Sequence, residues 1–120
     1  MKTTKAHFEL FKKECQKWID IFELSNWSVR YVHGGLSDDA FAHTNRDLKA
    51  YNATISFTDN WGDTKFNKLN KEEISELAKH GVLHLLFARF SMNANSRFIG
   101  YDDLVEAEHE IIQKLIKIIV

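Results

Sequence analysis

Hydrophobic residues recur every three or four positions in the first part of the chain. Between residues 4 and 24 they are separated by lysines and acidic residues, in the order Phe8, Phe11, Cys15, Trp18, Ile19 and Phe22. Residues with this spacing lie on one face of an α-helix, so the pattern predicts an amphipathic helix. Thr3 or Thr4 is the predicted residue that caps its start.

The pattern then changes to an alternation of apolar and polar residues, which indicates strands. We predict strands over residues 27–33, 40–44 and 51–58, with a turn at Gly34 and Gly35 after the first. In the third strand Ala53, Ile55 and Phe57 face one side of the sheet. The short connections favour an antiparallel meander.

Helical spacing returns at Asn70, the predicted cap of a helix that continues to about residue 90. Residues 59–70 and 91–100 are predicted surface loops because they are rich in asparagine, serine and glycine. Asp102 and Asp103 open a last predicted helix that ends near residue 119. The expected fold is therefore α+β, with a helix, a three-stranded mainly antiparallel sheet and two helices, in a single domain of residues 1–120.

Composition narrows the classes of function. The chain has 16 basic and 17 acidic residues and a formal net charge of -1, which argues against a partner bound mainly through phosphates, such as nucleic acid. No apolar segment resembles a signal peptide or reaches the roughly 20 residues that a membrane span needs. Cys15 has no second cysteine to pair with, as is typical of a reducing compartment. We expect a cytoplasmic protein.

His80 and His84 are the sharpest chemical signal. They are four residues apart on a predicted helix, so both rings project from one face and can share one metal ion. Such pairs also arise by chance, and the alternative is one packed and one exposed histidine. In a further alternative Gly81 ends the helix and residues 82–90 form a strand, and the two rings then do not share a face.

Residues 77–86 resemble the active helix of the zincin metallopeptidases, in which H-E-x-x-H is flanked by apolar residues. The resemblance extends to a group of small, mostly phage-encoded metallopeptidase-like proteins with a minimal gluzincin-like architecture. It is carried by the end of the first helix, the entry to the first strand and the third strand, at Trp18, Leu24, Asn26, Trp27, Ala53 and Ile55. The resemblance implies zinc as the cofactor and, for a phage-encoded member, the host cytoplasm.

The resemblance also implies a third, acidic ligand on the last helix. Glu108 is the predicted ligand, because it lies four residues after Leu104 and three before Ile111, on the stripe expected to face the core. Glu106 and His109 are the competing ligands. Alternatively, the glutamates of this helix only solvate an exposed face.

Gly81 stands where zinc peptidases carry the glutamate that acts as general base, so we expect peptide hydrolysis to be badly impaired. A glycine within a helix costs roughly 1 kcal/mol relative to alanine, and helix propensity therefore does not account for it. Three explanations remain open: a natural loss of activity, an engineered change, or relocation of the base to Glu73 or Glu76.

Two functional hypotheses follow. In the first, the protein is a zinc-binding, metallopeptidase-like protein that recognises a protein or peptide and is inactive as written. In the second, it is a phage-type accessory or inhibitor protein that uses the fold to bind a protein partner. The remaining candidates, for which packing or solvation is the default role, are Tyr101, His33, His43, Arg89 and Arg97.

Overall fold

The computed structural model describes residues 2–36, 40–61, 69–95, 100–116 and 118. The fold is α+β, as predicted, with a helix, a three-stranded sheet and then further helices. In chain order the elements are α1 (Lys5–Ile21), β1 (Ser28–His33), β2 (Ala42–Asp47), β3 (Asn52–Phe57), α2 (Lys71–Leu86), α3 (Ala88–Asn95) and α4 (Tyr101–Ile116).

The sheet is mixed and not an antiparallel meander. Its strand order is β1-β3-β2, with β1 parallel and β2 antiparallel to β3. The prediction of the pairing was therefore wrong. β3 takes the centre and is the most buried strand, with Ala53, Ile55 and Phe57 all buried. β2 has no fully buried residue and lies at an edge.

Three described helices, and not two, follow the sheet. α2 ends at Leu86, where the backbone N–H of Phe87 donates to the carbonyls of Leu83 and Leu85. Residues 91–95, predicted as loop, belong to α3. Their polar composition was misleading because Asn93 is buried, and its side-chain amide lies 3.5 Å from the carbonyl oxygen of Asp103 at the start of α4.

The N-terminal caps predicted for α1 and α2 are confirmed by their hydrogen bonds. The hydroxyl of Thr4 accepts from the backbone N–H of His7, whose ring in turn accepts from the N–H of Thr4. The side chain of Asn70 accepts from the N–H of Glu73 at 2.9 Å. Each bond satisfies a backbone donor that has no partner within the helix. The starts of α1 and α2 are thus fixed by residues adjacent to them in sequence.

The core lies on one face of the sheet, beneath α1 and α2. Ring stacking of Phe11 on Phe57, with centroids 4.8 Å apart, joins α1 to β3. Apolar residues of α2 complete this layer; they are Ile74, Ala78, Val82 and Leu85. Among the described helices none has the length and apolarity needed to cross a membrane. The predicted loop of residues 59–70 falls largely outside the described residues, but Trp61 at its start is buried.

Candidate metal centre

His80 and His84 share one face of α2. The helix continues through Gly81 to Leu86, so the alternative in which glycine ends the helix is wrong. The two ring centroids are 5.0 Å apart, with the rings at 77° to each other. Both side chains are exposed, which also excludes the arrangement with one packed and one exposed histidine. The pair is therefore accessible to an ion from solution.

Strand β2 fixes the turn of helix that carries the pair. The hydroxyl of Thr44 donates to the carbonyl of Gly81 at 3.0 Å, and the guanidinium of Arg46 donates to the carbonyl of His84. The carbonyl of His84 is one of the last four of α2, which lack an intrahelical partner. Arg46 therefore supplies the hydrogen bond that the end of the helix leaves open. The backbone beneath both imidazoles is held by a neighbouring strand.

Gly81 has a packing role that was not recognised in the sequence. It is buried, and a Cβ atom at this position would lie 3.3 Å from Oγ1 of Thr44 and 3.6 Å from Cγ2 of Ile55. Glycine allows α2 and the sheet to approach this closely, which offsets its cost in a helix. The signal in the sequence was an isolated glycine within an unbroken helical pattern, which often marks a close contact.

The electrostatic surroundings favour the neutral form of His84. Its pKa is lowered from the ordinary value of 6.5, first by partial burial and then by the nearby charges of His80, Arg46 and His43. Metal ions bind neutral imidazole, so competition from protons is reduced near neutral pH.

Two depressions adjoin the pair. A cavity of about 150 Å³ lies between β2 and α2, lined by Ala42, His43, Thr44, His80, Gly81 and His84. A groove of about 440 Å³ runs from His80 along α2, lined also by Phe41, Trp61, Glu73, Glu76, Leu77, Lys79 and Leu83. Both carboxylates considered as a relocated base line this groove, and Glu76 is already paired with Lys79 at 3.1 Å.

The prediction that Glu108 faces the core is wrong. Glu108 is exposed, as is His109, and the buried positions of α4 are held by Ala107 and Ile111. Within the described part of the chain, no three or more His, Cys, Asp or Glu side chains are grouped so that they could hold a metal ion. The structure therefore does not assemble His80, His84 and Glu108 into one ligand set.

The packing of α4 explains why. α4 lies against α3, where Arg89 pairs with Glu110 at 2.7 Å and with Glu106 at 3.3 Å. Glu106, the second candidate ligand, is thus committed to an ion pair. The two ion pairs raise the pKa of Arg89. They also join α3, which carries Arg89, to α4.

Among the other candidates, His33 has a structural role. His33 stacks on Phe8 with centroids 4.8 Å apart, and its Nε2 lies 2.6 Å from the hydroxyl of Thr3. Because that hydroxyl donates to the carbonyl of Thr58, the ring nitrogen is assigned as the donor to Thr3. Tyr101 is exposed, and Arg97 is not among the described residues.

Cys15 is a core residue. It is fully buried, and burial together with the charge of Glu14 raises the pKa of its thiol to about 12. A protonated, enclosed thiol is neither a nucleophile nor a metal ligand.

The chain matches no protein-family model, no curated protein and no solved structure.

The chemistry of the two histidines indicates which metal ion they could bind. Two imidazole nitrogens on adjacent helical turns suit zinc, which takes histidine ligands at roughly 2.0 to 2.1 Å. They supply two of the four ligands that zinc usually takes.

Proposed function

We propose that this protein is a zincin-like protein that binds a divalent transition metal ion, zinc above all, through His80 and His84, and that it has no peptidase activity. The observation that carries the proposal is the pair of exposed rings with centroids 5.0 Å apart. The hydrogen bonds from β2 support it, because ligands on a fixed backbone lose less entropy when they bind a metal ion.

The absence of peptidase activity follows from the surroundings of Gly81. A general base must come within hydrogen-bonding reach of the water that it activates. A side chain at position 81 points into the contact with Thr44 and Ile55. Glu73 lies seven residues before His80, or roughly 10 Å along the helix axis, and Glu76 is paired with Lys79.

A second candidate function is the binding of a protein or peptide partner without catalysis. It is favoured by the groove beside His80, whose apolar walls include Phe41, Leu77 and Leu83. Apolar walls with a few polar groups at the rim are typical of binding sites. A cytoplasmic location fits either function, because Cys15 is a buried free thiol.

Zinc binding is tested by titrating metal-free protein with ZnCl₂ in a calorimeter and by elemental analysis after gel filtration. We expect uptake by the wild type and none by His80→Ala or His84→Ala. The matched control is His109→Ala, an exposed histidine on α4, which should bind as the wild type does. A wild type that retains no zinc, or a His84→Ala variant that retains it fully, would contradict the proposal.

The pH dependence of binding gives a second readout. Protons and zinc compete for the same imidazole nitrogens. The pKa of His84 is lowered from its ordinary value, so zinc affinity should decrease as the pH falls, and the part of the decrease that is due to His84 should come at lower pH than for an ordinary histidine. The lowered pKa of His84 also affects the stability of the metal-free protein. The unfolded state binds a proton at this histidine more readily than the folded state does, so the free energy of unfolding should decrease as the pH falls below 6.5. Affinity that stays constant through this range would mean that other groups bind the ion.

The claim of inactivity is tested separately, by incubating zinc-loaded protein with an unfolded protein substrate. We expect no hydrolysis above that of the His84→Ala variant. We also expect Gly81→Glu to remain inert, because its carboxylate would enter the contact between helix and sheet. Zinc-dependent cleavage by the wild type would contradict this part of the proposal and leave zinc binding intact.

A further inference from the structure

We infer that a second copy of this chain completes the metal site, so that one zinc ion joins two chains through His80 and His84 of each. The inference rests on the proposed function, since it names the partner of the same site. It goes further because it assigns the pair a role in assembly, and such a role does not require a catalytic group.

The first step is the number of ligands. Structural zinc sites in proteins are almost always tetrahedral, with four protein ligands. The described residues contribute His80 and His84 and offer no group of three or more. A twofold axis through the metal ion duplicates the pair and gives four imidazoles, without any ligand of another kind.

His43 is the nearest candidate for a third ligand within the chain, and the register of β2 argues against it. Thr44 lies on the helix-facing side of the sheet, where its hydroxyl reaches Gly81. Side chains alternate along a strand, so the exposed side chain of His43 is directed away from that side, although the residue borders the cavity beside the pair. Among the described residues, His43 does not form a ligand group with the pair.

The second step is access. One side of α2 is covered by α1, where Ser75 donates to Glu14 at 3.0 Å and Lys79 lies over the ring of Trp18. A second side, at Gly81, is covered by the sheet. The histidines lie on a third side, next to β2, and no described strand other than β3 pairs with β2. A second copy can therefore approach without displacing any described element.

The third step is the chemistry of the surface around the pair. A twofold interface brings the same patch of both copies together, so the patch must complement itself. The groove beside His80 combines half-buried Leu77 and Leu83 with acidic Glu73 and basic Lys79. The apolar residues of the two copies can meet across the axis. The formal net charge of -1 adds little repulsion between copies.

The test is the mass of metal-free protein in solution while ZnCl₂ is added in steps, measured by light scattering after gel filtration. We expect the mass to rise from the 14.0 kDa of one chain to twice that value, reaching its maximum at one zinc per two chains. EDTA should reverse the change. His80→Ala and His84→Ala should remain at the mass of one chain, while His109→Ala should form the dimer as the wild type does.

The outcomes separate this inference from the proposed function. Uptake of one zinc per chain with no change in mass would overturn the shared site and leave zinc binding in place. No uptake at all would overturn both. A dimer that persists in EDTA or in His84→Ala would overturn the metal bridge, because association would then depend on other contacts.

Discussion

The two helices that were expected to build one site, α2 and α4, are held in different ways. α2 has an apolar side buried against the sheet and α1, and its carbonyls accept hydrogen bonds from Thr44 and Arg46 of β2. α4 packs on α3, and the connections of its acidic side are exposed ion pairs with Arg89. Both helices carry ionisable residues at helical spacing, but among the described residues those of α2 and those of α4 do not form one ligand group. The spacing of residues in the sequence shows which side chains share a face of one helix. Whether side chains of two helices meet depends on which apolar residues of each helix are buried.

The largest difference between the two regions should be in the core. Leu85 of α2 is 2% exposed, so Leu85→Ala should lower the free energy of unfolding by about 2 to 5 kcal/mol through lost burial and a cavity. The matched change on α4 is Leu115→Ala, at a half-buried leucine, which should cost less. Urea denaturation measures both. Equal losses would show that α4 is as firmly built into the core as α2.

A smaller effect is expected where α2 meets the sheet. In a helix, Gly→Ala gains up to about 1 kcal/mol, but at position 81 the added methyl group would crowd Oγ1 of Thr44 at 3.3 Å. We expect Gly81→Ala to give little or no gain in the wild type and close to the full gain in a Thr44→Ala background. A double-mutant cycle of unfolding free energies isolates this coupling. The same effect in both backgrounds would contradict the close contact as the reason for glycine.

The smallest effect is expected on α4. Arg89→Ala removes both ion pairs to Glu106 and Glu110, but these side chains are substantially exposed. Exposed pairs contribute about 0 to 1 kcal/mol, and salt screens them. The loss of unfolding free energy should therefore be under about 1 kcal/mol and should shrink at high salt. A loss that is larger and independent of salt would show that α4 is anchored by buried interactions of Arg89.

What could be predicted from the sequence depended on how local the cause was. The caps, Thr4 as one of the two predicted residues and Asn70, were correctly identified, because a cap acts on the N–H group three residues later. The alternation in β3 correctly placed Ala53, Ile55 and Phe57 on one face of the sheet, and all three are buried. The pairing of β1 was predicted wrongly, because alternation within a strand gives neither its direction nor its neighbour.

The errors at the site have the same origin. The spacing of Leu104 and Ile111 was equally compatible with Glu108 or Ala107 facing inward, and packing against α3 buried Ala107. The packing role of Gly81 was missed because nothing near it in the sequence indicated Thr44 as its neighbour. The partner is 37 residues away, on a strand whose position in the sheet was not predicted.

The hydrogen bonds from Thr44 and Arg46 have a consequence for how the edge of the sheet is specified. β2 has few apolar side chains with which to select its alignment on β3, and a slip by one residue would turn Thr44 and Arg46 away from α2. The two carbonyls of α2 accept these hydrogen bonds only when β2 has the observed alignment on β3. The edge strand and the histidine-bearing turn of α2 therefore fix each other's position.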